Sequence, residues 1–237
     1  MALCWHCLVA LSGQPLPQKA QSRSGLISDL FSVCYLGPVD YWAAWVQSSQ
    51  PQLESQENYR KQTYRNRCYI DGPNGVQMLH FPVRHQAVKQ IDTVELSLAK
   101  PWPQQHWQAL QSTYGNSPFF DGLADDLAPL YRDPPRRLWE FNLALHRLIL
   151  RWLRLPQDFS VNRTWQEKTT ARDWREAFHP KRPSVSSQPI PYRQAFADRF
   201  GFRAKLSVLD LLCNEGPAAY DLLRETEFVF SQGSNAL

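Results

Sequence analysis

The 237-residue chain has no glycine-rich phosphate loop and no G-x-G-x-x-G, G-x-S-x-G or H-E-x-x-H motif. Nucleotide, hydrolase and zinc chemistry therefore cannot be assigned by fingerprint. No run approaches the roughly 20 apolar residues that a bilayer span requires. Charge of one sign is also scarce: 26 basic against 22 acidic residues give a net +4, spread without a tail or long run. A dedicated nucleic-acid binder concentrates its basic residues, so no nucleic-acid partner is expected and anionic small molecules are the better candidates.

Cysteine is too sparse and irregular for a disulfide framework. The five residues, at 4, 7, 34, 68 and 213, fit reduced thiols of a cytoplasmic protein. Cys4 and Cys7 flank His6 in a C-x-x-C, but a structural zinc site needs four ligands and no second pair is present, so no metal site is assigned. No cofactor is named by any motif.

What the chain has in quantity is rigid side chains: nine tryptophans, nine tyrosines and eighteen prolines. Aromatic faces line sugar and nucleotide pockets, yet a single aromatic is most often core. The length suffices for a substantial core, and one domain over residues 29–228 is expected. Residues 1–28 read as a disordered extension, or as a start assigned too far upstream, and 229–237 as a flexible tail. The short apolar run near Met1 has no basic region before it, which a secretory signal would need.

The order of patterns predicts an α/β layout with a small mixed, partly parallel sheet and a helix-rich second half. Phe31 to Leu36 reads as a strand, Pro38 opens a helix through Gln47, and Leu53 to Ser55 reads as a second strand, together a βαβ unit. Arg65 to Ile70 and Val76 to Val83 flank the turn residues DGPNG, which predicts a hairpin. IDTVELSL, from Ile91 to Leu98, alternates as a strand does. Leu138, Phe141, Leu145, Leu148, Trp152 and Leu155 are spaced as an amphipathic helix, with Arg147, Arg151 and Arg154 on its solvated back.

The most informative segment is ENYRKQTYRNRC, Glu57 to Cys68. It packs Lys61, Arg65 and Arg67 among Asn58, Gln62 and Asn66, with Tyr59 and Tyr64 between them, and a strand over its second half would place Thr63, Arg65 and Arg67 on one face and Tyr64, Asn66 and Cys68 on the other. Guanidinium forks suit carboxylate or phosphate, and neighbouring amides read hydroxyls. The plainer reading is a solvated charged hairpin.

This segment, continued by Asn74, Gly75, Leu79, Pro82 and Val83, resembles the WbqC-like family of bacterial proteins associated with O-antigen and other surface-polysaccharide clusters. HWQALQSTYGNSPFF, His106 to Phe120, and LSVLDLLCNEGP, Leu206 to Pro217, extend the resemblance in the same order, over roughly Phe31 to Glu225. It implies a role in making or decorating glycans. The concrete form is a transferase that attaches an acyl or aminoacyl group to a nucleotide-linked amino sugar. The alternative is a non-catalytic protein that binds a glycan intermediate or assembles partner enzymes.

Within those blocks His106 is the candidate base that deprotonates an attacking amine. Lys61, Gln62, Tyr64, Arg65, Asn66, Arg67, Ser112, Tyr114, Asn214 and Glu215 are the substrate-binding candidates, for a nucleotide sugar or an acyl donor. A lone histidine on a partly apolar helix is more often structural. His80 and His85 lack metal-ligand spacing. Asp121, Asp125 and Asp126 read as helix-start acids behind Ser117 and Pro118, and Ser207 with Asp210 as a capping box. The basic, proline-rich loop from Thr169 to Tyr192 carries Arg172, Asp173, Arg175, Pro180 and Lys181, and a loop of that length is a place for function.

Overall fold

A computed structural model describes residues 28–84, 90–165, 167 and 172–228. The proposed N-terminal extension, the Cys4–Cys7 pair, His85 and the C-terminal tail lie outside the described residues.

The chain opens with strand β1 (Asp29–Ser32), helix α1 (Val39–Gln47) and strand β2 (Pro51–Glu54). The two strands pair in parallel, Phe31 opposite Leu53, as the βαβ pattern requires. Two short strands that the sequence pattern does not announce complete the sheet. β5 (Ser160–Asn162) lies beside β2 and β6 (Arg172–Asp173) beside β1, giving the all-parallel order β5-β2-β1-β6. With three and two residues they are too short to carry a period-2 signal.

Strands β3 (Arg67–Gly72) and β4 (Gly75–His80) form the expected antiparallel hairpin. Gly75 sits at φ 106°, a left-handed value that a side chain disfavours. The segment before β3 is not a strand. Thr63 Oγ1 donates to the Arg60 carbonyl, the Asn66 amide reaches the Thr63 carbonyl, and Gln62 is at φ 61°. Local side-chain bonds of this kind compete with a ladder, so residues 60–66 turn, and the alternating faces expected of Thr63, Arg65 and Arg67 do not form. Residues 91–98 likewise make only isolated bridges, Val83 with Leu96 and Glu95 with Arg137.

The second half is helical: α2 (Trp102–Tyr114), α3 (Phe120–Arg132), α4 (Leu138–Trp152), α5 (Ala197–Phe200), α6 (Val208–Glu215) and α7 (Ala219–Arg224). The α4 stripe of Leu138, Phe141, Leu145 and Trp152 is buried as its spacing predicts, joined by Ile149. Each such side chain contributes roughly 1.5–3 kcal/mol on leaving water. Its back is solvated in part, with Arg151 paired to Asp126 at 2.6 Å.

Helix α3 starts two residues later than Ser117 and Pro118 suggest and has no side-chain cap. Ser207 does cap α6, accepting from the Leu209 amide. Asp210 does not complete a capping box, because its carboxylate accepts instead from the Tyr192 hydroxyl at 2.9 Å. Gly216 at φ 55° ends α6, and a Cβ there would lie 2.6 Å from the Phe119 ring. No helix among the described residues is long and apolar enough to cross a membrane.

Candidate functional site

Because the four strands run in parallel, they all end on one edge of the sheet. In open parallel sheets that edge is where ligands bind, since the loops leaving it diverge and expose backbone and side chains. Ser32, Glu54, Asn162 and Asp173 close the four strands. Glu57, Arg65, Arg175 and Glu176 follow or fold back onto them.

At its centre is a buried ionic cluster. Arg65 Nε donates to Glu57 Oε1 at 2.9 Å and Nη2 to Glu57 Oε2, a bidentate pair. Nη2 also reaches Ser32 Oγ at 2.7 Å, while the Ser32 hydroxyl donates to Glu57 Oε2 at 2.8 Å. Both charged side chains are about 95 % buried, 4 % exposed for Arg65 and 5 % for Glu57. A second cluster adjoins it: Arg175 Nε and Nη2 grip Asp173 at 2.9 and 2.6 Å, and Nη1 lies 3.6 Å from Glu54 Oε2. Glu54 is held by Asn162 Nδ2 and the Gln56 amide, yet burial raises its pKa.

Around this buried base stands an exposed rim. Arg60 Nη1 pairs with Glu176 Oε2 at 2.8 Å, Lys61 is exposed, and Lys181 Nζ donates to Gln62 Oε1 at 2.8 Å. His179 Nδ1 accepts from the Lys181 amide. Burial and the neighbouring Arg182 lower its pKa, so at neutral pH the uncharged ring presents Nε2–H as a donor. Trp165 leans over Arg175 from the end of β5, with the guanidinium carbon 4.7 Å from its ring centroid.

The sequence candidates thus separate. Lys61, Gln62 and Arg65 meet at this edge, and Arg65 supports it from beneath. Tyr64 is buried and meets Tyr69 edge to face, ring centroids 6.1 Å apart. Asn66 donates to the Phe81 carbonyl at 3.1 Å, and Arg67 lies on the hairpin with Nη1 3.6 Å from the Met78 sulfur. Ser112 is exposed on α2. Tyr114 and Asn214 lie near Asp210, Asn214 donating to its carbonyl at 2.8 Å, while Glu215 accepts from the Arg193 amide.

His106 sits in the core, 5 % exposed, on the buried face of α2, whereas Trp107 is partly exposed. Its Nδ1 is 2.9 Å from the Tyr35 hydroxyl, which in turn meets Tyr131 at 2.8 Å. Burial pushes its pKa down to about 4. An amine reaching it would have to enter the aromatic cluster of Tyr35, Trp102 and Phe141.

Ser32, Glu57, Arg60, Trp165, Glu176 and His179 are the residues that pattern reading passed over. The long 169–192 loop was the one signal for Glu176 and His179. Cys34, beside Arg65 and Glu57, offers no thiolate: burial pushes its thiol up to about 12. Among the described residues no group of three or more His, Cys, Asp or Glu is arranged to hold a metal ion. A cavity of about 60 Å³ lined by Asp40, Tyr192, Arg203 and Lys205 lies apart from the rim and holds little more than water.

Residues 34–182, more than half of the chain, match the model of the WbqC-like protein family. The chain belongs to the WbqC-like family. The match takes in Glu57, Arg65 and Arg175 of the ionic cluster, as well as His106, but starts just after Ser32 and ends before the 206–217 block. A curated relative, the uncharacterized protein Rv1507c of Mycobacterium tuberculosis, is 34 % identical over 80 residues, which covers 31 % of this chain and 32 % of that protein. The matched stretch is thus about a third of that relative's length. No solved structure matches the chain.

Proposed function

We propose that this WbqC-like protein acts in surface-glycan biosynthesis by binding a nucleotide-linked amino sugar at the C-terminal edge of its parallel sheet, as a transferase of an acyl or aminoacyl group. The observation that carries the reading is the rim of Arg60, Lys61 and Lys181 above the buried Arg65–Glu57–Ser32 cluster. Glu176, 3.3 Å from the buried Arg65 Nη2, orders Arg60, and Gln62 orders Lys181, so a ligand phosphate meets two donors already placed and less conformational freedom is lost on binding. Gln62 and His179 supply neutral donors or acceptors for hydroxyls.

In this reading Arg65 positions the rim and does not touch phosphate, because its Nε and Nη2 are already engaged by Glu57 and Ser32. The core position of His106 favours a second reading, binding without catalysis, in which the protein presents a glycan intermediate to a partner enzyme.

Thermal denaturation with a panel of nucleotide amino sugars and acyl donors tests the first step, because a ligand selective for the native state raises its apparent stability. A shift in the wild type that is lost in a double Arg60→Ala, Lys61→Ala variant supports the site. Absence of any shift with a folded protein removes it. Mass-spectrometric detection of an acylated amino sugar then separates transferase from binder.

A further inference from the structure

We infer that Trp165 is a stacking platform for the nucleobase of the ligand, an assignment that rests on the binding reading above and adds the residue that selects nucleotides over bare sugar phosphates. Trp165 is 50 % exposed, among the few large apolar side chains left open to solvent. Single exposed apolar side chains are ordinary, and this one is set apart by what holds it.

The side chain is held from behind. Arg175, itself 6 % exposed, lies 4.7 Å from the ring centroid. That guanidinium is clamped by both oxygens of Asp173 and by Glu54 at 3.6 Å. A cation over one face of an indole is an attractive arrangement that fixes the ring's plane. Half of its surface is open to water, three residues beyond the end of β5.

The buried cation also decides which ring the platform suits. A pyranose stacks through its C–H bonds and prefers an electron-rich aromatic face. Arg175 draws indole density towards itself and depletes the exposed face. A nucleobase stacks flat on an indole through its whole π face and does not depend on an electron-rich partner, so the depletion weakens a pyranose more than a base and the platform favours base over sugar. Arg175 holds Trp165 and the next residue, Glu176, pairs with Arg60, so indole and exposed guanidinium are anchored on consecutive residues.

The test is isothermal titration of the full chain with uridine diphosphate and, separately, with glucosamine 1-phosphate, in wild type, Trp165→Phe and Trp165→Ala. Base-on-aromatic stacking predicts that Trp165→Ala weakens uridine diphosphate roughly ten-fold or more while Trp165→Phe retains most affinity. Glucosamine 1-phosphate should bind all three alike. Circular dichroism of the variants confirms that they fold.

Equal affinity of wild type and Trp165→Ala for uridine diphosphate overturns the platform and leaves the cationic rim standing. An equal loss for both ligands also overturns it, since the indole would then be supporting the rim and not selecting a base. If neither ligand binds the wild type while Arg60→Ala, Lys61→Ala behaves identically, the rim reading falls and the platform with it.

Discussion

Arg65 and Glu57 form a bidentate ion pair, Nε to Oε1 at 2.9 Å, buried where the parallel strands end. An arginine that close to a prospective anion site invites assignment as a ligand contact. Its burial and its engaged nitrogens make it a support. Removing one partner of such a pair leaves a charge in a low-dielectric interior, whereas replacing both with apolar groups of similar size can be nearly neutral.

Arg65→Ala should therefore destabilise the protein by about 3–5 kcal/mol, read from urea denaturation. A double replacement, Arg65→Met with Glu57→Leu, should recover most of that loss. If Arg65→Ala cost no more than an exposed substitution, the pair would not be holding this edge.

Arg60→Ala and Lys61→Ala should leave stability within about 0.5 kcal/mol, because exposed charges contribute little to folding. Both should weaken a phosphorylated ligand, and the effect should shrink as salt is raised. Titration at two ionic strengths checks this.

His146 provides a pH prediction. Its ring packs 4.5 Å from Trp42 and 4.3 Å from Trp45, and neither nitrogen has a hydrogen-bond partner among the described residues. Burial lowers its pKa from 6.5 to about 3. The unfolded chain thus binds a proton that the folded chain refuses. This contribution to stability is intact above pH 6.5 and is lost as pH falls below it. Across pH 6 to 4 the wild type should lose about 1.4 kcal/mol per unit more than His146→Phe, the linkage of one proton. Parallel stability curves for the two proteins would contradict the assignment.

Asp210 carries the opposite sign. Burial pushes it up to about 7 from 3.8, so its contribution is full below 3.8 and fades as pH rises towards 7. Asp210→Asn should flatten that fall, measurable as a smaller stability difference between pH 5 and 7.

Cys34, Cys68 and Cys213 are buried free thiols with raised pKa values. Peptide mapping after alkylation at neutral pH should find all three unmodified in the folded protein and modified once it is unfolded, because the reactive species is the thiolate.

The fold was legible where the sequence repeats a period or places turn residues. The α4 stripe, the hairpin around Gly72–Gly75 and the β1–α1–β2 unit all emerge from local patterns. The candidate site was legible only in part. Lys61 and Gln62 declare themselves by composition, but the cluster beneath them joins Ser32, Glu57, Arg65 and Arg175, which are separated by up to 143 residues. No local window contains such a contact, and strands as short as β5 and β6 leave no periodic trace of the sheet that brings it about. Arg65 was misplaced onto a strand face for a related reason: turn bonds from Thr63 override the alternation that its neighbours suggest.

Isothermal titration of a nucleotide-linked amino sugar against wild type and the Arg60→Ala, Lys61→Ala double variant tests the central claim most directly. Saturable 1:1 binding by the wild type, weakened at least roughly ten-fold when both cations are removed, is the result the rim predicts. Binding of equal strength to both proteins, each confirmed folded, would place the ligand elsewhere and contradict the assignment of this edge.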